Sequence, residues 1–202
     1  AILALLAIAA AGASLLAAAG PTDMTAGAEL LAPSLAHPFG TDEFGRDLWS
    51  RTLHGLRLSF VVGVLSTLLG GGAGLALGAI AGYRGGKLDT VAMRAVDGLL
   101  AIPAILLGIA VVAALGPGAR NVTVTLALVQ FPVFARLTRG AVLAEKQEEY
   151  VLAAVAVGAR PLDILVRHIL RNGISPIVVQ AALAVGSSVL VEASLSFLGL
   201  GI

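Results

Sequence analysis

Cysteine is absent from the 202 residues, which excludes disulfide scaffolds, thiolate zinc sites and cysteine nucleophiles together. Charge is scarce. Asp, Glu, Lys and Arg make up 12 % of the chain against about 25 % in soluble domains, too little polar surface to clothe a water-soluble globule. Neither sign is in surplus, since 13 Lys and Arg meet 12 Asp and Glu for a net charge of +1. No basic excess is left for phosphates, so nucleic acid is not an expected partner. What remains is apolar: 58 % of residues, with 25 Gly outside that count. The composition is that of a polytopic membrane protein whose solvent is the lipid bilayer, and the expected fold class is an all-α bundle of membrane helices.

A helix needs about 20 apolar residues to cross the hydrocarbon core. Uncharged runs of suitable length cover Ala1 to Ala19, Leu58 to Gly82, Gly98 to Ala119 and Gly173 to Val191. A weaker run, Asn121 to Ala135, contains Gln130 and Pro132 and must extend past Arg136 and Arg139, whose stems can snorkel to the headgroups. The expectation is five spans, with Pro103 and Pro132 kinking theirs. The first run could instead be a signal-peptide core, since Ala17, Ala18 and Ala19 resemble a cleavage site, but it is longer than such cores usually are. The chain starts at Ala1 with no Met and no basic flank, and an N-terminal piece is expected before it.

Short cytoplasmic connections carry the excess of Lys and Arg. The connections 83–97 and 136–172 hold nine such residues, while 20–57 and 116–121 hold four. The first pair is therefore read as cytoplasmic, with both 20–57 and the last residues external. A chain that ends outside after five spans suggests that a sixth follows.

Helices associate in lipid through close contact of small residues. Gly70, Gly74, Gly78 and Gly82 stand in strict register, preceded by Ser66, and mark a helix packed along most of its length. Ionisable groups inside spans are costly and often functional. Only Glu192 and Asp97 qualify, both near span ends where ordinary boundary residues also sit.

The external segment 37–57 carries Trp49, Leu53 and Leu56 on one helical face, with Asp47 and Arg51 able to pair on the other. It reads as an interfacial helix leading into the second span. Gly40 to Asp47 superficially resembles a phosphate loop, but Arg46 and Asp47 stand where a Lys and a hydroxyl are needed. His37, Asp42, Glu43 and His54 have no metal-ligand spacing. No catalytic, cofactor-binding or metal residue is expected in this chain.

The connection 145–172 is too patterned for a loose loop. Glu145 to Val157 has good helix formers with acidic residues first, Gly158 suits a left-handed stop, and Pro161 suits the first turn of another helix. Ala153, Ala154 and Ala156 expose little side chain, so another surface can come close, and Asp163 and Arg167 form an i, i+4 charge pair. Two short helices meeting at Gly158 to Arg160 would make an elbow able to transmit a push.

Tyr150-Val-Leu-Ala-Ala-Val-Ala-Val-Gly158, followed by Arg167-His-Ile-Leu-Arg-Asn172, resembles the EAA loop of ATP-binding-cassette importer permeases. Further stretches resemble the C-type subunit of the dipeptide, oligopeptide and nickel permease family. They are His37-Pro-Phe-Gly-Thr-Asp-Glu-Phe-Gly-Arg-Asp47, Ala81-Gly-Tyr-Arg-Gly-Gly-Lys-Leu-Asp89, Leu115-Gly-Pro-Gly118 and Glu192-Ala-Ser-Leu-Ser-Phe-Leu-Gly-Leu-Gly201. The match runs from about residue 37 to the end, and the order of the motifs makes it specific.

The resemblance implies a type I importer permease fold over residues 1–202 as a single transmembrane domain, with 20–57 as external loop and 145–172 as the coupling segment. It implies a second permease subunit, two cytoplasmic ATPases that hold the ATP and Mg, an extracytoplasmic substrate-binding protein, and a bacterial or archaeal plasma membrane. It also implies an ATPase contact through Glu149, Ala153, Ala154, Gly158, Arg160, Asp163 and Arg167. Two positions depart from the family's motif: its Glu is Leu152 and its closing Pro is Arg171, which shifts the expected dock toward Glu149, Arg160 and Asp163. Cargo by resemblance is a short peptide, then a nickel chelate, glutathione or another small solute. A secondary transporter or channel needs ionisable relays or repeated broken helices, and neither is found. An intramembrane enzyme needs a nucleophile with a base at bilayer depth, and Ser187, Ser188 and Thr67 lack any buried His, since His168 falls in the cytoplasmic elbow.

Overall fold

The computed structural model describes residues 2–17 and 19–201, with side chains from residue 7 onward. Ala1 and Ala18, parts of the first apolar run, lie outside the described residues. Helices are α1 (Ile2–Ala11), α2 (Ala13–Leu16), α3 (Leu48–Arg84), α4 (Gly86–Leu100), α5 (Ala104–Leu115), α6 (Ala119–Glu145), α7 (Glu149–Ala156), α8 (Pro161–Asp163) and α9 (Ser175–Phe197). A π-helix, Ile164–Leu170, continues α8. Among the described residues no strand forms, only an isolated bridge between Thr41 and Asp47. The chain divides into two compact units, Ala1–Val61 and Val62–Ile202.

Three helices, α3, α6 and α9, are long and apolar enough to cross a membrane, and α4 with α5 would make a fourth despite an 89° bend between them. Of the five spans read from the sequence, three or four meet this measure among the described residues. The first run yields ten-residue α1 and four-residue α2, separated at Gly12. At about 1.5 Å per residue, ten residues reach about half the hydrocarbon thickness. The third run, Gly98 to Ala119, is broken rather than continuous. Pro103 has no N–H to donate and keeps Ile102 out of helical geometry, so α4 ends near Ala101 and α5 starts afresh. At Pro132, by contrast, α6 continues without interruption.

In the first unit the segment before α3 folds on two carboxylates. Asp42 accepts from the backbone N–H of Phe44 (2.9 Å) and Arg46 (3.0 Å), and from Arg46 Nε (2.7 Å). It also pairs with Arg51. Burial alone would raise its pKa, but these donors outweigh that effect and hold it at about 2. Asp47 accepts from Ser50 N–H at 2.7 Å, capping α3, and pairs with His37 at 3.0 Å. The expected Asp47–Arg51 pair is thus corrected, because capping fixes Asp47 at the helix start while the longer Arg51 reaches back to Asp42. His54 turns to the Ser50 carbonyl instead (2.8 Å). The expected interfacial helix is not a separate element either. Leu48 to Arg84 is one helix of 37 residues, with Leu53 buried. Trp49 stacks edge-on against Phe39 at 5.0 Å and donates to the Leu16 carbonyl (3.1 Å).

The second unit is built around α6, which contacts α4, α5, α9 and the π-helix. The glycine stripe of α3 faces α6 in lockstep. A Cβ on Gly70, Gly74, Gly78 or Gly82 would collide with or crowd the carbonyl of Ala127, Phe131, Ala135 or Arg139 respectively. Both series rise by four, so α3 and α6 run parallel, backbone against backbone. Their C-terminal ends therefore lie on one side, the side of both Arg- and Lys-rich connections.

Candidate coupling site

The elbow forms as its residue types dictate. Glu149 opens α7, and Gly158 ends it with φ +79°. Gly158 N–H donates to the Val155 carbonyl (3.0 Å) and Ala159 N–H to that of Ala154 (3.1 Å), the paired bonds of a Schellman stop. Arg160 is extended, and Pro161 then starts α8 where its missing N–H costs nothing. The helix expected from Glu145 to Val157 divides, since α6 persists to Glu145 and α7 begins only at Glu149.

One apolar core fastens this elbow to the ends of the long helices. Val151 and Ala154 of α7 and Ile164, Leu165 and Ile169 of the π-helix meet Ala79 of α3 and Val142 of α6. Lys146 adds a tie, donating to the Tyr83 carbonyl at 2.6 Å with its ammonium over the Tyr83 ring. Tyr150 donates to Glu145; burial first, and that carboxylate second, push its phenol pKa up. A cavity of about 330 Å³ opens beside the core, lined by Ile80, Tyr83, Arg84, Pro161, Leu162 and Leu165.

The opposite face of the elbow is apolar and uncovered. Leu152, Val155, Val157, Leu162 and Val166 are all at least half exposed. Glu149, Ala153, Gly158 and Arg160 are exposed as well. Asp163 and Arg167 make the expected pair at 3.3 Å. Ala154 faces inward into the core. With α7 turning about 100° per residue, Val151 and Ala154 share the inner face, Leu152 and Ala153 point away from it, and Val155 stands at its edge, exposed.

Two sets of polar contacts were not legible in the sequence. Arg139, expected to snorkel, instead sets its guanidinium on Asp89 of α4, with Nε to Oδ1 at 2.5 Å and Nη2 to Oδ2 at 2.7 Å. Arg136, treated the same way, pairs with Asp97. Within the helical bundle, Gln130 Nε2 donates to Ser188 Oγ and Ser66 Oγ, the latter at 3.4 Å. The two hydroxyls already donate to the Ala184 and Gly63 carbonyls, so their oxygens remain free to accept from the amide. These contacts join α3, α6 and α9 at one point, while Gln130 Oε1 is buried without a partner. The signal available beforehand was only the presence of Gln130 in an apolar run. Glu192, the other ionisable group singled out, is buried on α9.

A family model described as the binding-protein-dependent transport system inner membrane component matches residues 74–202. A probable D,D-dipeptide transport system permease of Escherichia coli (strain K12) is 45 % identical over 179 residues, 89 % of this chain and 59 % of the relative. A dipeptide transport permease of Alkalihalophilus pseudofirmus is 45 % identical over 172 residues, covering 85 % and 57 %. A glutathione transport permease of Pectobacterium atrosepticum is 48 % identical over 169 residues, covering 84 % and 56 %. The chain thus spans less than three fifths of the length of these relatives.

Proposed function

The chain belongs to the family of binding-protein-dependent transport inner membrane components, an integral membrane family, and from that premise we propose that it is one permease subunit of an ATP-driven importer of di- or oligopeptides. A second permease subunit completes the pathway, two cytoplasmic ATPases bind the ATP and Mg, and an extracytoplasmic binding protein delivers the peptide. The chain itself does no covalent chemistry. Its setting is a bacterial or archaeal plasma membrane.

The observation that carries this reading is the two-faced elbow, welded to α3 and α6 by its inner core and bare on its apolar outer face. A loop with no partner would leave Leu152, Val155, Val157 and Leu162 in water at a cost of about 25 cal/mol per Å² of apolar surface. In this reading they enter a groove on an ATPase. Closure of the ATPase pair then pushes the elbow, the shared core carries the push into α3 and α6, and the cavity formed with the partner permease changes its opening. Delivered peptide shifts that equilibrium only through its different affinity for the two states.

The identity of 48 % with a glutathione permease favours glutathione, itself a small peptide, as a second cargo. Co-expression with candidate ATPase subunits tests the mechanism. Detergent-solubilised wild-type chain carries the ATPases through purification, and Val155→Glu with Leu162→Glu loses them while the chain stays folded. Absence of ATPases from the wild-type preparation, or labelling of the elbow from outside intact cells, would refute the reading.

A further inference from the structure

α6 is gripped at two places near its C-terminal end. Val142 sits in the elbow core with Val151, Ala154 and Ile169. One turn before it Arg139 forks onto Asp89, and Arg136, a further turn earlier, reaches Asp97, about two turns further along α4. Numbers fall on α6 as they rise on α4, so the two helices are antiparallel through this contact. α4 in turn meets α5 across the sharp break at Ala101 to Pro103, and Val112 of α5 is buried with Val62, Val122, Leu126 and Leu195.

We propose that the Arg139–Asp89 fork, with Arg136–Asp97 as its second point, is the linkage that carries displacement of the elbow through α6 into the bent α4–α5 span. This rests on the permease reading above and goes beyond the elbow's own contact. The four residues are positioning residues for the transport step.

The geometry assigns this work to the ion pairs because apolar contact does little of it. Val96 is the only fully buried residue of α4, while Leu88 and Val91 are exposed. Dispersion contacts are non-directional and let helices slide, whereas a bidentate guanidinium–carboxylate pair fixes both separation and angle. The side chain of Asp89 is 14 % exposed and that of Arg139 33 %, so water competes weakly for the fork. The Arg136–Asp97 pair is more than half exposed and adds little energy. Its effect is geometric, since one pair is a pivot and two pairs prevent rotation about it.

The 202 residues contain no cysteine, so a pair introduced into them can be tested by cross-linking in the complete importer, reconstituted in proteoliposomes with any cysteines outside these residues replaced by serine. Peptide taken up per ATP hydrolysed is the readout. Arg139→Lys keeps the charge and loses the fork, and is expected to keep ATPase association while uptake per ATP falls about tenfold, the scale of one charge-assisted hydrogen bond. Asp89→Cys with Arg139→Cys is expected to be equally uncoupled, and to recover when a short thiol-to-thiol cross-linker replaces the ion pair. Wild-type coupling in the Lys variant would overturn the proposal. Cross-linking that leaves uptake low would overturn it too, since α4 and α6 would then have to move apart. An uncoupled wild-type complex, with ATP hydrolysed and no uptake, would strike the permease reading itself.

Discussion

Gly78 of α3 lies against the backbone carbonyl of Ala135 in α6, with no room for a methyl group between them. The same closeness recurs at Gly70 and Gly74, so the two parallel helices share one seam to which the glycines of α3 bring no side chain. Adding a carbon there must force backbone apart, and overpacking of this kind costs about 1–3 kcal/mol.

Gly78→Ala should therefore lower the thermal stability of the detergent-solubilised chain. Gly72, in the same helix, has open space where its Cβ would stand, and Gly72→Ala should leave stability unchanged or slightly higher through better helix propensity. Melting both variants side by side checks the seam. Equal midpoints would show that the stripe does not carry the contact.

Gln130 ties three helices through two serine oxygens, while its own carbonyl oxygen is buried without a donor. These two features oppose each other. Gln130→Ala should cost more than Gln130→Met, because Met fills the volume and removes the orphan oxygen while giving up interhelical bonds worth about 0.6–2 kcal/mol in membranes. A Met variant less stable than the Ala variant would contradict this account.

The segment before α3 should respond to acid. The pKa of Asp42 lies at about 2, below the ordinary 3.8, so its contribution to stability is complete above the unfolded value and fades as pH falls from about 4 toward 2. Asp47, also depressed although burial opposes it, follows the same sign through its bonds to Ser50 and His37. The single Trp, Trp49, stacked on Phe39, reports on this region. Its fluorescence should be flat from pH 5 to 8 and change below pH 4. In Asp42→Asn the acid transition should shrink, and persistence at full size would assign it elsewhere.

At the elbow, Gly158→Val places a β-branched residue at φ +79°, a strain of about 1–3 kcal/mol. Nothing lies within 4 Å of the added Cβ, so the cost is in the backbone and the expected result is a displaced α8 rather than a collapsed bundle. In the importer proposed above, ATP hydrolysis without uptake by an assembled complex is the anticipated signature. Gly158→Asn, which tolerates left-handed geometry, should retain most of the coupling.

Much of the fold can be read along the chain. Scarce charge and long apolar runs required a bilayer, the four-residue repeat of glycines marked a tight seam, and Gly158 with Pro161 marked a stop and a restart; the structure has each of these features. They are local or periodic signals, and neighbours in sequence suffice to produce them.

What the tertiary structure decided is which surface each signal meets. Periodicity shows that Gly70 to Gly82 share a face, but not that α6 lies on it. Arg136 and Arg139 were charges near a span end until α4 turned back beside them at Gly85 and Gly86, both at positive φ, and Pro103 then breaks an apolar run that composition alone reads as continuous. Asp47 could pair with Arg51 or cap its helix, and the cap won because its carboxylate is held at the first turn. Ala154 faces the core and Leu152 faces outward because Val151 and Ile169 claim the inner side. A sequence states what a residue can offer, whereas partner and direction follow from the simultaneous packing of helices far apart in the chain.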